Sequence, residues 1–142
     1  MSQVRDIVQE RPLFYVSARN TVAEAARRMS DLGVGAIVVL DGERLMGVFS
    51  ERDLMKRVVL ERRDAETTPV RDVMTTELVV IEQSATLEEA MEAMQSHNCR
   101  HLPVMGGDQV TGFISMRDLM NHELERKTEE LSHIRAYVAG SV

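Results

Sequence analysis

The chain has 142 residues, 44 % of them apolar, a net charge of -6 and a pI near 5.2. That is enough for one compact domain, and with no basic stripe and an acidic balance it argues against nucleic acid and anionic membranes as partners. The longest apolar run, Ala36 to Leu40, is far too short to span a bilayer, the opening MSQVRDIVQER is too charged for a signal peptide, and the single Cys99 leaves no internal disulfide, so a cytoplasmic protein is expected.

In chain order, Phe14-Tyr15-Val16 reads as a short strand, and Asn20 or Thr21 can cap the helix that follows. Val22, Ala25, Ala26 and Met29 share one helical face, and Gly33-Val34-Gly35 stops the helix near residue 32. Ala36–Leu40 and Leu45–Phe49 are apolar strands joined by the turn signal Asp41-Gly42, and a helix is expected from about Arg52 to Arg62. Residues 63–69, charged and ending in proline, form a connector. The same order then returns. Leu78–Ile81 is a strand, Ser84 a cap, and Leu87, Ala90, Met91 and Met94 a helical face ending at Asn98. Leu102–Met105 and Val110–Ile114 form a hairpin around Gly106-Gly107, and a helix starts near Arg117. It does not stop where its counterpart does. Leu124, Leu131 and Val138 recur every seven residues among charged neighbours, which predicts a long amphipathic helix, or two with a bend near Ser132, packed on its own domain or on a second copy.

The recurrence is a duplication. Displaced by 65 residues, Thr21–Met55 aligns with Thr86–Met120 without a gap and with 12 identities in 35 positions, where chance gives roughly two or three. Val4-Arg5-Asp6-Ile7 matches Val70-Arg71-Asp72-Val73 at an offset of 66. Two such units are expected to bury a shared face.

The densest match is Gly47-Val48-Phe49-Ser50-Glu51-Arg52-Asp53-Leu54-Met55 against Gly112-Phe113-Ile114-Ser115-Met116-Arg117-Asp118-Leu119-Met120. Each copy runs from a strand into the first turn of a helix. A hydroxyl, a guanidinium and a carboxylate gathered there can grip a ligand carrying a sugar and a phosphate. Asp53 and Asp118 can accept two hydrogen bonds from a vicinal diol, or serve as helix-start carboxylates aligned with the dipole. Ser50 and Ser115 open an anion-receptive helix start, or act as plain caps. Arg52 and Arg117 offer a planar fork to phosphate, or stand solvated.

These motifs, together with Val70-Arg71-Asp72-Val73-Met74-Thr75 and Arg100-His101-Leu102-Pro103-Val104, resemble a tandem pair of cystathionine β-synthase (CBS) domains, over about Val4 to His122. The wider sequence is similar to small stand-alone bacterial proteins of that type. The resemblance implies an α+β fold. Two β-α-β-β-α repeats, residues 1–62 and 70–122, pack about a pseudo-twofold axis with a C-terminal amphipathic extension over 123–142. It further implies a non-catalytic regulatory module, usually a homodimer, that binds an adenosine derivative (AMP, ADP, ATP, NAD(H) or S-adenosylmethionine) in clefts between the repeats and signals to a separate effector protein. The alternative is an interaction module with no physiological nucleotide. By the same resemblance Asp53 and Asp118 take the ribose, Ser50 and Ser115 the phosphate or ribose, and Arg100 and His101 a phosphate, with Gly35 and Ala36 at the matching place in the first unit. The two clefts are therefore expected to differ. Val16 and Val79, with Phe14 and Ile81, are candidate walls for the adenine or ordinary core.

Other chemistry is weaker. His97, Cys99 and His101 are spaced like metal ligands on an extended chain, but a helix end intervenes and no fourth ligand is near, so no metal is expected. Gly33-Val34-Gly35 precedes a strand, the wrong order for a dinucleotide turn. The chain leaves no room for a catalytic domain beside the repeats.

Overall fold

The computed structural model describes residues 2–140, with side chains through Val138, so the last two residues of the predicted extension lie outside the described residues. Two three-stranded sheets of identical topology carry the chain. The first comprises β1 (Tyr15–Ser17), β2 (Ala36–Asp41) and β3 (Arg44–Ser50), with α2 (Val22–Leu32) between β1 and β2. The second comprises β4 (Ile81–Glu82), β5 (His101–Gly106) and β6 (Gln109–Ser115), with α4 (Leu87–Ser96) between β4 and β5. In each, the opening strand pairs parallel to the middle one and the hairpin pairs antiparallel. The duplication reaches the irregularities: the hairpin register slips between Val39 and Leu40, and again between Val104 and Met105.

The helix boundaries follow local chemistry. Thr21 caps α2 and Thr86 caps α4, each as a capping box in which the hydroxyl accepts from the backbone of Glu24 or Glu89 and that glutamate accepts the cap's own N–H. The expected cap Ser84 is thus displaced by Thr86, because only Thr86 has a glutamate three residues on. Gly33 (φ 68°) and Asn98 (φ 52°) end the two helices in the left-handed conformation. Strand β4 is shorter than Leu78–Ile81 suggested.

The hydrophobic cores are interleaved. Helix α1 (Arg5–Val8) leaves its own half, and Val4 and Val8 are buried among Leu87, Leu102, Val104 and Ile114 of the second. Reciprocally, Val70, Val73 and Met74, from a 3-10 turn at Val70–Asp72, are buried with Ile37, Val39 and Phe49 of the first. Two glycines admit these crossings. A Cβ on Gly112 would lie 2.6 Å from Val8 Cβ, and one on Gly47 would lie 2.7 Å from the Met74 sulfur and from the Thr75 carbonyl. Each fully buried aliphatic or aromatic side chain contributes about 1.5–3 kcal/mol, so the exchanged segments tie the halves together strongly.

After each hairpin comes a helix. Helix α3 (Glu51–Asp53) passes at once into a π-helical stretch, Leu54–Val59. Its counterpart α5 is one continuous helix, Met116–Gly140, with no bend near Ser132. Leu119 is buried, but Leu124, Leu131, Ile134 and Tyr137 are each more than half exposed. The far part of α5 therefore does not pack on its own domain. No helix among the described residues is long and apolar enough to cross a membrane.

Candidate functional site

Both hairpins deliver their Ser and Asp to a cleft between the halves, but the clefts are unequal. The larger has a volume of about 1140 Å³ and the smaller about 200 Å³. Pockets for small molecules commonly enclose about 300–1,000 Å³, so only the larger has room for a nucleotide.

In the small cleft, Asp53 is consumed by the protein itself. Only 7 % exposed, it accepts hydrogen bonds from the Ser50 N–H (3.0 Å), the Ser50 hydroxyl (3.1 Å) and the Thr75 hydroxyl (3.0 Å). Arg57 stands 3.8 Å away, its guanidinium donating to the Met74 carbonyl at 2.8 Å. Glu77, Val79, Arg100 and His101 are among the other residues that line it.

The large cleft is walled by the start of α5 on one side and by Phe14, Gly35, Ala36 and Ile37 on the other. The Ser115 N–H donates to Asp118 at 2.8 Å, and the Asp118 N–H donates to the Ser115 hydroxyl at 3.1 Å. Arg11 reaches in from the loop after α1. Its guanidinium spans both carboxylate oxygens of Asp118, at 3.2 and 2.9 Å, and donates to the Phe113 carbonyl at 2.9 Å. Partial burial pushes the Asp118 carboxyl up, but the bonds from Arg11 and Ser115 and the Arg11 charge outweigh it, and the group stays below the ordinary carboxylate value. Three arginines, Arg11, Arg100 and Arg117, face two carboxylates, Asp118 and Glu51.

His101 stands between the clefts, stacked on Phe113 with centroids 5.3 Å apart. Burial lowers its pKa, and the Arg100 charge adds to that, against the carboxylates of Asp118 and Glu51. The ring is thus held neutral more readily than a free histidine.

Of the residues singled out by sequence, the large cleft gathers Ser115, Arg117, Asp118, Gly35 and Ala36, the small one Ser50, Asp53 and Val79, and both share Arg100 and His101. Arg100 and His101 therefore do not by themselves favour one cleft. Val16 and Arg52 line neither. Val16 points from β1 into the first core, and Arg52, one residue before Asp53, is turned outward by the helical step to an exposed face. Arg11 was not singled out, because its stretch Glu10-Arg11-Pro12 carries no motif. Its signal was available in the duplication: at the 66-residue offset of the opening segments, Arg11 corresponds to Glu77, an opposite charge. Among the described residues no three His, Cys, Asp or Glu side chains are grouped to hold a metal ion.

Comparison with known proteins bears on the fold that carries these clefts. The family model described as "CBS domain" matches residues 4–60 and 70–125. The chain is 34 % identical over 128 residues to the CBS domain-containing protein YhcV of Bacillus subtilis, covering 90 % of each chain. It is 30 % identical over 126 residues to the mitochondrial CBS domain-containing protein CBSX3 of Arabidopsis thaliana, covering 85 % of this chain but only 61 % of that longer one. Among solved structures, the CBS domain protein PAE2072 of Pyrobaculum aerophilum, complexed with AMP, superposes with a TM-score of 0.74 at 26 % identity, over 82 % of this chain and 89 % of that one.

Proposed function

This chain belongs to the CBS-domain family, as a tandem pair, and from that premise we propose that it is a non-catalytic sensor binding one adenosine nucleotide in its large cleft. The observation that carries this is the pairing of Asp118 with roughly 1140 Å³ of open space, while Asp53 is sealed against Ser50 and Thr75 beside only 200 Å³. In this reading Asp118 accepts the ribose hydroxyls, Ser115, Arg117 and Arg100 face the phosphate, and the base lies against Phe14, Gly35 and Ala36. AMP in the related PAE2072 supports the ligand class; ADP, ATP and NAD(H) share its adenosine. The module works in the cytoplasm as a homodimer and passes occupancy to an effector protein, through arrangements that bind the ligand with different affinity.

Calorimetric titration of nucleotide-free protein with AMP, ATP and NAD is the test. We expect one site per chain of micromolar affinity, about -8 kcal/mol, lost in Asp118→Ala and kept in Asp53→Ala. No heat with any ligand from folded protein would leave the second reading, an interaction module. The exposed apolar residues of α5 favour that one.

A further inference from the structure

We propose that Arg11 makes the large cleft selective for a phosphorylated ligand: it covers Asp118 while the cleft is empty, and yields it to an incoming ribose only when a phosphate takes the guanidinium instead. This rests on the assignment of the large cleft as a nucleoside site.

The argument begins with lone pairs. A carboxylate has about four acceptor positions. Arg11 occupies one on each oxygen of Asp118 and the Ser115 N–H a third. A ribose diol seeks the same two-oxygen edge that the guanidinium spans, so the two compete directly. Arg11 is well suited to leave. It sits on a loop between α1 and β1, and its side chain is 40 % exposed, so its ion pair is the kind that water opens easily. Once released, the planar fork remains in the cleft alongside Arg100 and Arg117 and binds phosphate bidentately. An unphosphorylated nucleoside must break the pair and returns nothing to the guanidinium.

The small cleft carries the opposite device. Glu77 corresponds to Arg11 in the duplication and lines that cleft beside the buried Asp53, with Arg100 as the arginine on its wall. A phosphate entering there meets the carboxylates of Asp53 and Glu77 against Arg100, with Arg57 3.8 Å from Asp53. The 66-residue pair Arg11 and Glu77 thus distinguishes the clefts by charge, which the shared Arg100 and His101 do not.

The test compares adenosine with AMP on wild type, Arg11→Ala and Arg11→Gln, with circular dichroism confirming that each variant is folded. Arg11 bonds to Asp118 and to the Phe113 carbonyl from a partly exposed loop position outside the hydrophobic cores, so both variants are expected to fold. Removing the guanidinium frees Asp118 and deletes a phosphate ligand at once. Adenosine is expected to bind a few-fold tighter and AMP about tenfold weaker, so their affinity ratio collapses by more than tenfold. Opposite signs for the two ligands are what a merely structural arginine would not produce. If Asp118→Ala abolishes AMP binding while both Arg11 variants leave the ratio within twofold of wild type, the selectivity role is wrong and the site assignment stands. If wild type binds neither AMP nor adenosine, both fall together.

Discussion

Gly112→Ala adds one methyl group where α1 crosses β6. Its consequences divide sharply according to whether the crossing exists. In an ordinary strand, replacing glycine by alanine removes unfolded-state freedom and stabilises by roughly 0.5–1 kcal/mol. Here the new Cβ would stand 2.6 Å from Val8 Cβ and 2.7 Å from its Cγ1. Contact between carbons needs about 3.5–4.0 Å, so α1 must retreat by nearly 1 Å or bend. Val8 is 3 % exposed and sits in the second core beside Val4, which leaves little slack. Overpacking of this kind costs about 1–3 kcal/mol. Urea unfolding followed by circular dichroism reads the difference. With a slope of about 1–3 kcal/mol per molar, the midpoint should fall by about 1 M with the slope unchanged. Val8→Ala alone removes two buried methyls, about 1.6 kcal/mol. It clears the two Cγ contacts but keeps the Cβ that the new methyl strikes at 2.6 Å, so the double variant should be relieved only in part and stay less stable than Val8→Ala alone. A midpoint that rises in Gly112→Ala would refute the exchange of opening segments.

The Arg11–Asp118 pair predicts a pH dependence. The Asp118 carboxyl is held below its ordinary value in the folded protein, so its contribution is present above the unfolded value, near 3.9, and is lost as pH falls through the lower folded value. The stability gap between wild type and Arg11→Ala, measured by urea melts, should therefore be open at pH 7 and close as pH falls below the unfolded carboxylate value and through the lower folded one; a gap that widens in acid contradicts the assignment. Thr75→Val, which keeps shape but removes the hydroxyl donated to buried Asp53, should cost about 1.5–3 kcal/mol, the range for a hydrogen bond to a charged group. It should leave the number of AMP molecules bound per chain unchanged, and a thermally neutral Thr75→Val would show that Asp53 is held by Ser50 alone.

The architecture was legible because it is written twice. Two hairpins with glycine turns and two helices with apolar faces recur at one offset, and the helix ends at Gly33 and Asn98 follow from residues that tolerate positive φ. Ser84 lies nearer the strand, but the cap is set by the glutamate three residues after Thr86. The exchange of α1 was invisible to a reading that assigns each segment to the repeat it precedes. Its trace was the glycine in each motif, Gly47 and Gly112, where a side chain would strike a segment from the other half. An inequality of the clefts argued from Arg100 and His101 alone has no footing in the fold, which shares both residues between the clefts. What separates them is Arg11 against Glu77, outside every motif, together with the Thr75 hydroxyl that closes off Asp53.

Asp118 sits in the first turn of α5, and that helix continues without a break to Gly140. At about 1.5 Å per residue it extends some 36 Å, and from Leu124 onward its large apolar side chains face outward. It is therefore a lever whose short arm carries the carboxylate and whose long arm stands clear of the body. A tilt of about 5° at the cleft displaces the distal end by about 3 Å, on the order of two residues of helical rise. A change too small to alter the core can thus be large where another molecule would meet it.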